Sequence, residues 1–99
     1  QKVDNKVDAV YHVYSCICSS RRDELACHLE SQGIQTNVYY ASSITDQEAY
    51  RKYYSRTFHL PVTDQVSKSI IALPFYAEMD LSILETVANS ANRFFHATR

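Results

Sequence analysis

The chain has 99 residues, 45% of them apolar, and ten Lys and Arg against eleven Asp and Glu leave its net charge at −1. That length fits one compact domain, which at this size buries roughly 60 to 70% of its unfolded surface. The basic residues are scattered rather than striped, no apolar run approaches the ~20 residues of a bilayer span, and the N-terminus lacks the order of a signal peptide, so neither nucleic acid nor a membrane is an expected partner.

Residues 1–8 are polar and charged with no hydrophobic period, as in a connector running in from another domain. The chain opens on Gln1 and its one methionine is Met79, which reads as a fragment, a processed product or a trimmed piece. Residues 10–18, rich in aromatic and β-branched side chains, predict a strand. On it Cys16 and Cys18 alternate onto one face, where same-strand neighbours cannot easily bridge. Together with the odd Cys27 they read as small buried thiols in a reducing compartment, the cytoplasm. Cys27 and His28 could offer metal ligands, but no C-x-x-C or H-x-x-x-H spacing accompanies them, and no metal is expected. Ser19 or Ser20 offers an N-cap for a following helix, with Asp23 and Glu24 in its first turn to meet the dipole. Leu25, Ala26 and Leu29 would face the sheet, and Gly33, the only glycine, sits where a left-handed C-terminal cap is wanted, with Ile34 to supply the apolar contact.

Residues 34–40 alternate as a second strand, placing Tyr39 and Tyr40 on opposite faces, one toward the core and one toward a site. Residues 47–54 suit a short helix, and Thr63 begins another that reaches about Ser69. The apolar run Ile70-Ile71-Ala72-Leu73 predicts a buried strand stopped by Pro74. Asp80 then caps a long helix to about His96, with Leu84, Val87, Ala88, Ala91, Phe94 and Phe95 forming a core-facing stripe. The order β-α-β-α-α-β-α predicts an α/β (α+β) sandwich, a small three-stranded sheet covered by helices. There is no internal repeat and no low-complexity stretch.

For chemistry, the single glycine excludes Gly-rich phosphate loops of the Rossmann or Walker type. No nucleophile-elbow or Cys-His signature motivates covalent catalysis. Lys2 and Lys6 lie in the connector, and Lys52 and Lys68 in polar helical stretches, each most simply a solvated charge.

Five short motifs carry a more specific signal: Arg22-Asp23-Glu24-Leu25, Gly33-Ile34-Gln35-Thr36, Val38-Tyr39-Tyr40, Leu60-Pro61-Val62-Thr63-Asp64 and Ala72-Leu73-Pro74-Phe75-Tyr76. In order and spacing, from about Val10 to Phe95, they resemble the C-terminal small domain of the DegT/DnrJ/EryC1/StrS family of pyridoxal-phosphate sugar aminotransferases. The resemblance implies the small-domain fold of fold-type I pyridoxal-phosphate enzymes over residues 10–99, with residues 1–9 as linker from a missing N-terminal domain that holds the cofactor. That domain would carry the Schiff-base lysine and the acid for the pyridinium nitrogen. No catalytic or cofactor-binding residue is then expected in this chain, which alone would be inactive.

The resemblance further implies that the parent enzyme, a cytoplasmic homodimer, moves an amino group from an amino acid, usually glutamate, to a ketone on a nucleotide-linked sugar for amino-sugar or cell-surface polysaccharide biosynthesis. Its His-Tyr-Pro motif, which faces the sugar-nucleotide site, reads Tyr39-Tyr40-Ala41 here. A phenol, with an ordinary pKa near ~10, does not titrate near neutrality as imidazole does, but it can still donate or accept a hydrogen bond. The following Pro-Leu-His reads Ser43-Ile44-Thr45, while Gln47 and Tyr50 keep the pattern. The family's glutamate after Pro-Val-Ala becomes Asp64, suited to the start of a helix, and a proline expected after Leu73-Pro74-Phe75-Tyr76 is Ala77. Tyr39, Tyr40 and His12 are the candidate substrate-binding residues. The plainer readings are strand aromatics packing across a sheet for the tyrosines and a hydrogen-bonded structural residue for His12. A different class remains open: a stand-alone, non-catalytic α/β module for ligand sensing or protein interaction, since the same order of elements serves many functions.

Overall fold

The computed structural model describes residues 4–54 and 58–97. Strand β1 (Tyr14–Ile17) leads to helix α1 (Arg22–Ser31), a 3₁₀ turn (Ile44–Asp46) and helix α2 (Glu48–Tyr53); helix α3 (Pro61–Ser69) runs straight into strand β2 (Ile70–Leu73), and helix α4 (Leu81–His96) closes the chain. The class is mixed helix and sheet, as expected.

The sheet is smaller than expected. It has two antiparallel strands, with Tyr14 opposite Leu73 and Ile17 opposite Ile70. The anticipated strand over 34–40 contributes one bridge, Asn37 to Ala72, closed by two hydrogen bonds of 3.0 and 2.7 Å. β1 begins at Tyr14 instead of residue 10, so His12 precedes the sheet and is exposed. The cause is at the end of β2: Pro74 has no N–H to donate, so pairing stops at Leu73. On the other edge, Ile34 is held by the helix cap and the chain meets β2 only as it passes Asn37.

The caps differ in how they form. At the end of α1, the Gly33 N–H donates to the Glu30 carbonyl and the Ile34 N–H to the Leu29 carbonyl, both at 2.9 Å, with Gly33 at φ 75°. This is the Schellman pattern that the lone glycine announces. At its start neither Ser19 nor Ser20 is the cap; Arg21 is, at φ 61° and with no side-chain bond to the helix N–H groups. Its guanidinium instead pairs with Glu24 and lies 4.4 Å from the centre of the Phe94 ring. Asp64 sits in the first turn of α3, as expected. Asp80 caps α4 as expected: it accepts from the Ser82 N–H at 2.7 Å, and its hydrogen bonds with Ser82 hold its carboxyl below the usual carboxylate range.

The core is Cys18, Leu25, Leu29, Ile34, Ile71, Val87 and Phe94, with Leu29 fully enclosed. It lies between the sheet, α1 and the C-terminal half of α4. The stripe expected along α4 is buried only in part. Val87 and Phe94 are in the core and Ala91 borders it, whereas Leu84 is 53% and Phe95 44% exposed and Ala88 is exposed too. The first turns of α4 run past the end of the short sheet, where Leu81 and Leu84 stay exposed. Arg22, only 10% exposed, ties α1 to the α3–β2 junction: its guanidinium donates to the Ile70 carbonyl at 2.9 Å.

Candidate functional site

A groove of about 610 Å³ opens at the Pro74 end of the sheet. One wall is the Asn37 segment, with Gln35, Thr36, Asn37 and Tyr39; the other is Phe75 and Tyr76, beyond β2. His12 and Val13 contribute from before β1, and Ile83 and Val87 from α4. Tyr14 of β1 stacks on Phe75 with centroids 6.5 Å apart, backing the aromatic wall. Among the described residues no Lys, Arg, Asp or Glu lines it. Such a groove offers amide and hydroxyl hydrogen bonds and ring faces, which suits a neutral, hydroxyl-bearing ligand better than a phosphate.

Of the three candidate site residues the groove brings together two. His12 and Tyr39 line it; Tyr40, 71% exposed, does not. The expectation that the two tyrosines point to opposite faces fails because residues 34–40 do not form a strand. Their rings meet edge to face with centroids 5.6 Å apart, across a peptide bond that is cis. Tyr39 accepts a hydrogen bond of 2.9 Å from the Asn37 side-chain amide. Asn37, Phe75 and Tyr76 were missed from sequence. The signal for Asn37 was there, two residues before Tyr39 in an alternating segment, whereas Leu73-Pro74-Phe75-Tyr76 read as the end of a strand and as a family motif, with no site role attached.

Elsewhere the thiols divide. Cys18 is buried in the core and its Sγ contacts the Ser20 carbonyl oxygen at 2.8 Å; Cys16, half-buried on the same face, has its thiol pushed up by burial. Cys27, expected to be buried, is exposed because it falls on the outer face of α1. His28 Nε2 lies 3.2 Å from both the carbonyl oxygen and the hydroxyl of the fully buried Ser90 and so links α1 to α4. Among the described residues no three His, Cys, Asp or Glu side chains gather as metal ligands, and no helix is long and apolar enough to cross a membrane.

The fold is that of an aminotransferase domain. It superposes on the crystal structure of a DegT DnrJ EryC1 StrS aminotransferase from Brucella abortus with a TM-score of 0.72 at 29% identity, covering 83% of this chain and 22% of that one. The DegT/DnrJ/EryC1/StrS aminotransferase family profile matches residues 1–92, and the chain belongs to that family. A "Pleiotropic regulatory protein" from Geobacillus stearothermophilus is 29% identical over 92 residues, which is 91% of this chain and 25% of that protein. The chain thus spans about a quarter of its relatives' length.

Family members generally use pyridoxal phosphate, which supplies an electron sink for amino transfer. The residues here do not fit it. It needs a lysine in a pocket, yet among the described residues no lysine lines the groove, Lys6, Lys52 and Lys68 are all exposed, and Lys52 pairs with Glu48 at 3.1 Å. Lys2 lies outside the described residues.

Proposed function

We propose that this chain is the C-terminal small domain of a cytoplasmic, homodimeric, pyridoxal-phosphate aminotransferase that moves an amino group from an amino acid to a nucleotide-linked keto-sugar. Residues 1–9 link it to the larger domain that holds the cofactor, and by itself it does not transaminate. The groove formed by Tyr39, His12 and the Phe75–Tyr76 wall carries this reading: among the described residues no Lys, Arg, Asp or Glu lines it, which suits the sugar rather than the diphosphate. Tyr39 and His12 orient the sugar hydroxyls and ketone, and closing the groove excludes water from the transfer. Tyr40 borders the site through its contact with Tyr39.

The accessible surface supports a larger parent. It amounts to 8350 Å², where a self-contained monomer of 11.4 kDa would show about 5,800 Å². Three free thiols support a reducing compartment. The stand-alone sensing or interaction module is not favoured, because both the family and the structural neighbour are aminotransferases. The Geobacillus relative's name speaks of regulation and specifies no substrate.

The test uses the full-length protein with pyridoxal phosphate, L-glutamate and keto-sugars linked to UDP or dTDP, reading 2-oxoglutarate and amino-sugar formation. Tyr39→Phe is expected to lower kcat/KM for the sugar about tenfold while leaving the glutamate half-reaction unchanged. Unchanged sugar KM and kcat would remove Tyr39 and its groove from the reaction.

A further inference from the structure

The atoms around Tyr39 set the direction in which its hydroxyl can donate. Asn37 is anchored by its backbone, which exchanges hydrogen bonds of 3.0 and 2.7 Å with Ala72, a residue only 4% exposed in the middle of β2. Its side-chain oxygen accepts from the Val38 N–H at 3.2 Å. That bond fixes which end of the amide is which, since a flipped amide would set its NH₂ against the Val38 N–H. The amide nitrogen therefore faces Tyr39 and donates to the phenol oxygen at 2.9 Å. A phenol oxygen that already accepts one N–H turns its own hydrogen away from that donor, toward whatever acceptor comes next.

We infer that Asn37 is a positioning residue that holds Tyr39 as a hydrogen-bond donor, matched to an acceptor-only oxygen such as the ketone of an acceptor sugar. The inference rests on the groove being the sugar site. A ketone oxygen can only accept and an ammonium group can only donate, so the order Val38 N–H, Asn37 amide, Tyr39 hydroxyl matches the keto-sugar and disfavours its aminated counterpart, while a hydroxyl, which meets a partner of either polarity, is not discriminated against. Asn37→Asp inverts that order. A carboxylate would accept the phenol's hydrogen bond and leave the Tyr39 oxygen facing the ketone lone pairs.

The experiment is a double-mutant cycle in the full-length, cofactor-loaded enzyme, with the UDP- or dTDP-linked keto-sugar that the wild type turns over and L-glutamate as donor. Asn37→Asp is expected to cut kcat/KM for the sugar about tenfold and to weaken equilibrium binding of the keto-sugar nucleotide, measured calorimetrically without glutamate, with the glutamate half-reaction unchanged. In a Tyr39→Phe background the same change should cost less than about twofold, because its route to the sugar is gone. Asn37→Ala, which frees the phenol without inverting it, should fall between, and it also covers the case in which the aspartate variant fails to fold. Equal losses with and without the Tyr39 hydroxyl would make Asn37 a turn residue and overturn the inference while leaving the sugar-site reading intact. No effect of Asn37→Asp on an enzyme that does lose activity with Tyr39→Phe overturns it as well. Should Tyr39→Phe itself be silent, both the site reading and this inference fall together.

Discussion

Gly33 sits at φ 75°, and a Cβ built on it meets nothing within 4 Å. Its role is thus conformational, and Gly33→Ala should destabilise the domain by ~1 kcal/mol through the backbone alone, with Gly33→Asn losing less. Urea unfolding of the two variants checks this, and a clean loss for both alike would point instead to a contact the glycine permits. Gly33 and Asp80 were legible in the sequence because each has a residue type selected for one local geometry: left-handed backbone for glycine, an N–H acceptor for aspartate. The Arg21 cap was not legible. Arginine carries no capping preference, and it adopts φ 61° alongside a local pair with Glu24 and a contact to Phe94, 73 positions further on, that no local pattern contains. The Asn37–Tyr39 pair was half legible: Tyr39 entered through a family resemblance, whereas Asn37 was missed, because spacing alone does not mark a site residue.

At the scale of elements, α4 is one helix with two environments. Phe94 is 9% exposed against α1 and beneath Arg21, while Leu84, three turns earlier on the same stripe, is 53% exposed. Phe94→Ala should cost about 3 kcal/mol in denaturant unfolding of the 99-residue chain, and Leu84→Ala under ~0.5 kcal/mol. Comparable losses would mean that the first turns of α4 are packed after all. Helical periodicity could reveal the stripe but not where the sheet beneath it ends, since that depends on how far β2 extends before Pro74. The same limit explains the strand over 34–40. Alternation shows that a segment can pair; it does not show whether a partner of sufficient length exists, and β2 offers four residues already paired to β1.

For the whole molecule, the radius of gyration is 16.5 Å, against about 13 Å for a compact chain of this length. The exposed surface includes large apolar side chains: Tyr53, Leu81 and Ile44 are all more than two-thirds exposed, and Leu84 and Tyr76 about half. Exposed apolar area on this scale is normally covered. The 99-residue chain by itself should self-associate and bind a hydrophobic dye, and the full-length protein should do so much less. A clean monomer with no dye binding would favour an independent module. Composition could not foresee this, because mean hydropathy counts apolar residues without saying which of them find a neighbour.

One link between the site and the body carries a kinetic consequence. Among the described residues, the hydrogen bonds that tie residues 37–54 to the rest of the chain are the two between Asn37 and Ala72. The 3₁₀ turn, α2 and the Tyr50–Tyr54 ring stack are bonded within themselves. Opening that two-bond clasp breaks neither the β1–β2 pairing nor a helix, so it costs far less than global unfolding. The Ala72 amide, buried yet protected by one bond to Asn37, is therefore the proton whose exchange with deuterium times the detachment of the site wall. The rest of the core keeps its own, slower clock.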